Sequence, residues 1–211
     1  MRELRRDDRQ WTGGAAVSWF WLIGAVALSL IPVAIKSRIG AGIGVETAIN
    51  ALFAVGIAIG SILAAVISHG RIWLKPAPYL LLALSALFVD VGLTTGALPE
   101  ATTQVGLEDF FGSAAGLHVA LAVIAISAVA GLFVVPIFAA VQAWAGEDRR
   151  ARVIGAVNTL NSIYMVAGSL ATTILLKFAG LDEPQALVAL GLCNILAAAY
   201  VYFRLPKSFA E

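Results

Sequence analysis

Charged residues are scarce in this sequence. Asp, Glu, Lys and Arg together make up 13% of its 211 residues, whereas a typical soluble domain carries about 25%. Hydrophobic residues make up 60% of the chain, and its mean hydropathy is +0.91. A soluble domain of this length needs more charge to cover its surface. The composition therefore excludes an ordinary soluble protein and indicates a membrane protein.

The residues that build covalent, metal and nucleic-acid sites are also few. Cys193 is the only cysteine, which excludes an internal disulfide. His69 and His118 lie in different segments without neighbours at ligand spacing, and no glycine-rich phosphate loop or nucleophile elbow is present. The 14 basic and 13 acidic residues nearly cancel, which removes the electrostatic basis for binding nucleic acid. We therefore expect no metal, no cofactor and no nucleic-acid partner, and we find little basis for an enzyme.

Six long hydrophobic runs dominate the sequence instead. Each has the roughly 20 mostly apolar residues that a helix needs to cross a bilayer, and none has the alternation or the roughly ten-residue length of a membrane β-strand. The sequence therefore predicts an all-α membrane protein, with a charged cytoplasmic segment over 1–14, a six-helix bundle over 15–205 and a cytoplasmic tail over 206–211. The predicted spans are 15–35, 47–68, 77–98, 116–142, 153–176 and 185–203.

Basic residues concentrate on one side of these spans. They occupy the N-terminal segment, the loops after spans two and four, and the C-terminal tail: Arg2, Arg5, Arg6, Arg9, Arg71, Lys75, Arg149, Arg150, Arg152, Arg204 and Lys207. The opposite side carries Lys36, Arg38 and Lys177. Because loops rich in Lys and Arg remain in the cytoplasm, we expect both termini to be cytoplasmic.

Proline and glycine positions predict local features of the helices. Pro136 lies inside span four and predicts a kink there. The charge-free run over 110–146 is too long for one span, so we expect its start to lie at the surface. Gly56 and Gly60 form a G-x-x-x-G pattern on span two, which lets two helix backbones approach closely.

Asp90 is the only charged residue within the third span. A carboxylate in the hydrocarbon core costs about 2.5–3.5 kcal/mol on insertion scales, so it usually faces the interior of a bundle or a wet cavity. Asp90 is therefore a candidate for binding a substrate headgroup or for coupling to protons. The alternative is that it lies close enough to the outer end of the span to reach interfacial water.

Lys36 ends the first span and Glu46 begins the second. Both are candidates for the outer mouth of a cavity, where they can form an ion pair. The alternative is that Lys36 extends its ammonium group to the interface on its own.

The fifth span carries Asn158, Asn161, Ser162 and Tyr164. Positions 158 and 161 share a helix face, and amides need hydrogen-bond partners inside a bilayer. This face is therefore predicted to look at another helix or at a water-filled cavity. In the first case it holds the bundle together by interhelical hydrogen bonds, and in the second it lines a transport path.

Two loops resemble parts of the major facilitator superfamily. The run DRRARVIGAVN over 148–158 is similar to the basic cytoplasmic loop and the small-residue start of the fifth helix in a six-helix half of that family, a helix that often carries an Asn. The run SHGRIWLKP over 68–76 occupies the place of the family's signature loop but lacks its acidic residue. The resemblance implies a 3+3 inverted-repeat half of the major-facilitator fold, matching helices seven to twelve of a twelve-helix transporter.

The run NTLNSIYMVAG over 158–168 resembles the eleventh helix of the bacterial lysophospholipid transporter branch, and the resemblance extends over about 19–205. Members of that branch flip lyso-lipids across the inner membrane and are encoded with, or fused to, a phospholipid acyltransferase. The resemblance implies a multi-pass protein of the bacterial inner membrane that moves lysophospholipid or a related amphiphile by alternating access. Its partners would be the bilayer and an N-terminal six-helix half or a second copy.

The resemblance also implies roles for the candidate residues. Lys36 would attract a phosphate headgroup, and Asn158 and Asn161 would hydrogen-bond the glycerol or headgroup. Asp90 would couple to an ion or pair with a basic residue, and Tyr164 would complete the lining. Two alternatives are the membrane portion of a bifunctional phospholipid acyltransferase, whose His-x-x-x-x-Asp motif is absent from these 211 residues, and a membrane scaffold that transports nothing.

Overall fold

The computed structural model describes residues 3–206 of the chain. The helices are α1 (Asp8–Ile39), α2 (Ile43–Ser68), α3 (Ala77–Gly96), α4 (Leu107–Gly112), α5 (Ala114–Ala145), α6 (Arg150–Lys177) and α7 (Glu183–Arg204). All except α4 are long and apolar enough to cross a membrane, so the predicted all-helical, multi-pass architecture is confirmed. Two parts of the sequence lie outside the described residues: residues 1–2, which include Arg2, and residues 207–211 of the predicted tail, which include Lys207.

Helix α1 extends beyond the apolar stretch predicted as the first span. The carboxylate of Asp7 accepts the backbone N–H of Arg9 at 2.8 Å and caps the first turn, so the helix starts at Asp8. Burial opposes the ionisation of Asp7, but the hydrogen bonds and charge of Arg9 outweigh it and hold the pKa of Asp7 below its usual value. Gln10 is fully buried and donates to the carbonyl of Trp144 at 2.7 Å. Residues 8–14 are therefore the first turns of α1.

The long charge-free run divides at Ser113, which caps α5. The Oγ of Ser113 accepts the backbone N–H of Gly116 at 3.0 Å. The residues before this cap form α4, which is mostly exposed apart from the fully buried Phe110. Helix α4 is thus the surface segment expected at the start of the run.

Helices α1 and α5 are both 32 residues long, and each contains one proline in its second half, Pro32 and Pro136. Proline lacks a backbone N–H, so each of these residues removes one hydrogen bond from its helix. Pro136 lies inside its helix as predicted, whereas the sequence analysis did not single out Pro32.

The bundle is built from three extensive helix pairs. Helix α3 packs along α7, α2 along α5 and α1 along α6. Helices α1 and α5 also contact each other, α7 packs on α1, and α3 packs on α5. Helices α2 and α6 are the most exposed, because only 17% of the most apolar stretch of each is buried, compared with 39–50% for the other four spans.

Glycines allow the closest helix contacts, as the G-x-x-x-G pattern predicts. A Cβ at Gly56 would overlap the hydroxyl of Ser127, and a Cβ at Gly60 would overlap the carbonyl oxygen of Ala128. The backbones of α2 and α5 are therefore in direct contact. Between α3 and α7, Gly92 and Gly191 have the same role: a Cβ on either would lie within 2.9 Å of a carbonyl oxygen of the other helix.

Candidate functional site

Lys36 and Glu46 form the ion pair considered from the sequence. The Nζ of Lys36 lies 3.8 Å from Oε1 of Glu46, and 59% of the Lys36 side chain is exposed. The pair joins the end of α1 to the start of α2, at the end of the bundle where α1 finishes and α7 begins, here called the far end. Its exposure leaves the ammonium group open to further ligands.

Arg38 forms a second ion pair at the far end, which the sequence analysis missed. Its Nη2 donates to Oδ2 of Asp182 at 2.6 Å, and its Nη1 donates to the carbonyl of Leu98 at 3.0 Å. Asp182 also caps α7 by accepting the backbone N–H of Gln185 at 2.8 Å. One guanidinium therefore connects α1, the end of α3 and the start of α7. The capping pattern before Pro184 was a usable signal for Asp182.

Asp90 contacts His118, a residue that the sequence analysis treated as isolated. The Nε2 of His118 lies 2.7 Å from Oδ2 of Asp90, and the contact joins α3 to α5 near the far end. The side chains are 44% and 47% exposed, so the carboxylate is partnered but only half-covered. The two residues are 28 positions apart, and no local pattern pairs them. The carboxylate of Asp90 therefore has His118 as a basic neighbour.

Asn161 is buried between α6 and α1. In the amide orientation that satisfies both of its ends, Nδ2 donates to Oγ of Ser18 at 2.8 Å and to the carbonyl of Val157 at 3.1 Å, and Oδ1 accepts the indole N–H of Trp21 at 3.2 Å. Asn158 lies one turn earlier and is exposed. The two asparagines therefore have different surroundings: one links two helices, and the other faces away from the bundle.

Asn194 on α7 forms a second buried amide centre, which the sequence analysis did not identify. Its Oδ1 accepts the indole N–H of Trp19 at 2.6 Å, and its Nδ2 donates to the carbonyl of Leu81 at 2.7 Å and to Oγ of Ser85 at 3.2 Å. The side chain is fully buried and connects α1, α3 and α7. The signal was present in the sequence, because an amide within an apolar span requires partners.

Tyr164 lies in a groove between α6 and α7. These two helices both pack on α1 but have few contacts with each other, and the space between them forms two adjoining cavities of about 460 and 270 Å³. Tyr164 lines the larger cavity, and both cavities are lined by Trp19 and Cys193. We call this feature the α6–α7 groove.

The five candidate residues do not meet at one point. Lys36 and Asp90 lie near the far end, whereas Asn158 and Asn161 lie on the half of α6 near the N-terminal end, and Tyr164 lies at the middle of α6. Ser18, the partner of Asn161, is about 27 Å from Lys36 along α1 at 1.5 Å per residue.

Comparison with protein-family models, with curated proteins and with solved structures finds no match for this chain. Among residues 3–206, His, Cys, Asp and Glu side chains do not gather into a group of three or more that could hold a metal ion.

Proposed function

We propose that this chain is one six-helix half of a transporter of the major facilitator type. It carries lysophospholipid or a related amphiphile by alternating access, in the bacterial inner membrane and with both termini in the cytoplasm. Its partner is an N-terminal six-helix half or a second copy of the chain. No cofactor takes part in this mechanism.

The helix packing carries this proposal. When the first three spans are exchanged with the last three, α1 becomes α5, α2 becomes α6 and α3 becomes α7. This exchange converts the α2–α5 pair into the α6–α1 pair, leaves the α3–α7 pair unchanged, and converts the α3–α5 contact into the α7–α1 contact, all of which are present. The same exchange relates α1 to α5, the two helices that are 32 residues long and contain one proline each. Such an internal relation is expected of a 3+3 inverted repeat.

The exposed faces of α2 and α6 favour the presence of a partner beside this half. Helix α6 presents a row of exposed polar residues at helical spacing: Asn158, Ser162, Ser169 and Thr173. The hydroxyls of Ser162 and Thr173 donate to the carbonyl four residues earlier in their own helix. The amide of Asn158 is too polar to face hydrocarbon, which favours contact with a second helical unit or with a wet cavity.

The candidate residues then act at successive depths. Lys36, open to solvent at the far end, attracts the phosphate headgroup. The Asp90–His118 pair provides a proton-exchanging group near the same end, and Asn158 hydrogen-bonds the substrate. Asn161 affects transport indirectly, because it holds α6 in position against α1.

Two measurements test the proposal. The first is the inward movement of fluorescent lysophosphatidylethanolamine in vesicles that contain the protein, followed by dithionite quenching against protein-free vesicles. The second is disulfide cross-linking in native membranes, with Ser162→Cys introduced after Cys193→Ser. A cross-linked product at Ser162 and lipid movement above background are expected.

Leu82→Cys is the matched control for cross-linking, because Leu82 is 45% exposed on α3, outside the proposed interface. The mass of the product distinguishes a second copy from another six-helix half. Background lipid movement together with equal cross-linking at positions 82 and 162 would reject the proposal.

A further inference from the structure

The α6–α7 groove is a long apolar channel that opens sideways between two helices. Its walls carry small residues, including Ala167, Gly168 and Ala171 on α6 and Ala189 and Ala197 on α7. Because these side chains are short, neither helix fills the space. The floor runs along α1 from Trp11 to Val26, which is about 22 Å at 1.5 Å per residue.

The centre of the groove floor is hydrogen-bonded to the rest of the bundle. The indole N–H of Trp19 donates to Asn194 at 2.6 Å, so the polar edge of the ring is occupied within the bundle. Trp19 lines both cavities, and with its N–H bonded the ring offers an apolar surface to the groove. The groove therefore favours an apolar occupant.

Arg5 lies over the mouth of the groove at the N-terminal end of the bundle. Trp11 and Tyr200 line this mouth, and the guanidinium of Arg5 lies 5.1 Å from the centre of the Trp11 ring. The neighbouring Arg6 and Arg9 pair with Glu3 and Asp7, whereas Arg5 is exposed over the mouth. This charge complements an anionic group placed where the apolar channel ends.

We propose that the groove holds one acyl chain of an anionic phospholipid of the bilayer, with the lipid phosphate beside Arg5. The channel is longer than one leaflet, which is roughly half of the 30 Å hydrocarbon core, so an extended chain fits along it. The lipid is a resident ligand and not the transported substrate, and Tyr164 contacts its chain.

Native mass spectrometry of the purified 211-residue protein tests this site. The probes are dioleoylphosphatidylglycerol and dioleoylphosphatidylcholine, added in equal amounts. We expect one phosphatidylglycerol to be retained at least about fivefold over phosphatidylcholine. Ala197→Trp places an indole in the groove and should abolish retention, whereas Ala199→Trp, two positions along α7 and exposed, should not.

The headgroup contact is tested separately. Arg5→Gln should remove the preference for phosphatidylglycerol while one lipid is still retained. Arg71→Gln is the matched control, because it removes an exposed charge at the same end of the bundle. Equal loss of preference in the two variants would assign the effect to general charge and overturn the role of Arg5.

Cys193 provides a test that needs no substitution in the groove. It is the only cysteine in the chain, is exposed, and lines both cavities. Phosphatidylglycerol should slow its alkylation by a small maleimide severalfold in detergent. Unchanged alkylation, or equal lipid retention by the two tryptophan variants, would overturn the proposal. Retention is measured without transport, so this result is independent of the outcome of the lipid-movement assay.

Discussion

The helix pairs α2–α5 and α1–α6 exchange with each other under the proposed 3+3 relation, yet different chemistry stabilises each. In the first pair, Gly56 and Gly60 bring two backbones into contact. In the second, Asn161 hydrogen-bonds Ser18 and Trp21 across the interface. A bilayer is as apolar as a leucine side chain, so helices in it gain no hydrophobic stabilisation from pairing. Each pair therefore needs a specific contact, and close backbone packing and amide bonding are two solutions to the same requirement.

The largest effect is expected when the α2–α5 contact is broken. In Gly60→Leu, the Cβ would overlap the carbonyl oxygen of Ala128, a backbone atom that cannot rotate away. We expect the free energy of unfolding to fall by about 3 kcal/mol, measured by circular dichroism in micelles with increasing SDS. Gly155→Leu is the control, since no atom lies within 4 Å of a Cβ there. Equal losses would show that backbone proximity is not what stabilises this pair.

The next largest effect concerns the amide centre on α7. Asn194→Leu removes the acceptor of the Trp19 indole N–H and the donor to Leu81, both buried. We expect a loss of about 1–2 kcal/mol in the same unfolding experiment. The exposed Asn158→Leu provides the comparison and should change stability by no more than about 0.5 kcal/mol. A smaller loss for Asn194→Leu than for Asn158→Leu would contradict the assigned hydrogen bonds.

A smaller effect is expected for the amide contact between α1 and α6. A double-mutant cycle of Asn161→Leu and Ser18→Ala should give a coupling of about 0.6 kcal/mol, and at most about 1.7 kcal/mol. Lipid movement distinguishes two roles. If Asn161 positions α6, its loss lowers activity and stability together, whereas Asn158→Ala lowers activity alone. Transport that survives alanine at both asparagines would show that neither lines the path.

The smallest effect is expected at the far end, where charged pairs are half-exposed. A cycle of Asp90→Asn and His118→Gln should give a coupling of no more than about 1 kcal/mol, because solvent and interface screen the pair. If the pair exchanges protons during transport, Asp90→Asn should reduce lipid movement far more than it reduces stability. If lipid movement and stability fall to the same extent, the contact is purely structural.

Hydropathy alone predicts the six spans because crossing a bilayer requires about 20 apolar residues in a row. It does not give the bounds of the helices, because a helix can extend beyond its apolar stretch: Asp7 caps α1 before the apolar residues begin. The G-x-x-x-G pattern on α2 correctly predicts a close contact, but the partner helix is not encoded in the pattern. The need of Asn161 for a hydrogen-bond partner can be predicted from its own span. The identity of that partner cannot, because Ser18 lies 143 positions away.

Composition and hydrophobic run length determine that this is a multi-pass helical membrane protein, because burial in lipid is a property of each segment by itself. Three features required the tertiary structure: the pairing of Asp90 with His118, the bridge from Arg38 to Asp182, and the groove between α6 and α7. Each depends on helices that are distant in the chain and become neighbours only after packing. A local pattern states that a buried polar group must find a partner, and only the arrangement of the helices decides which partner it finds.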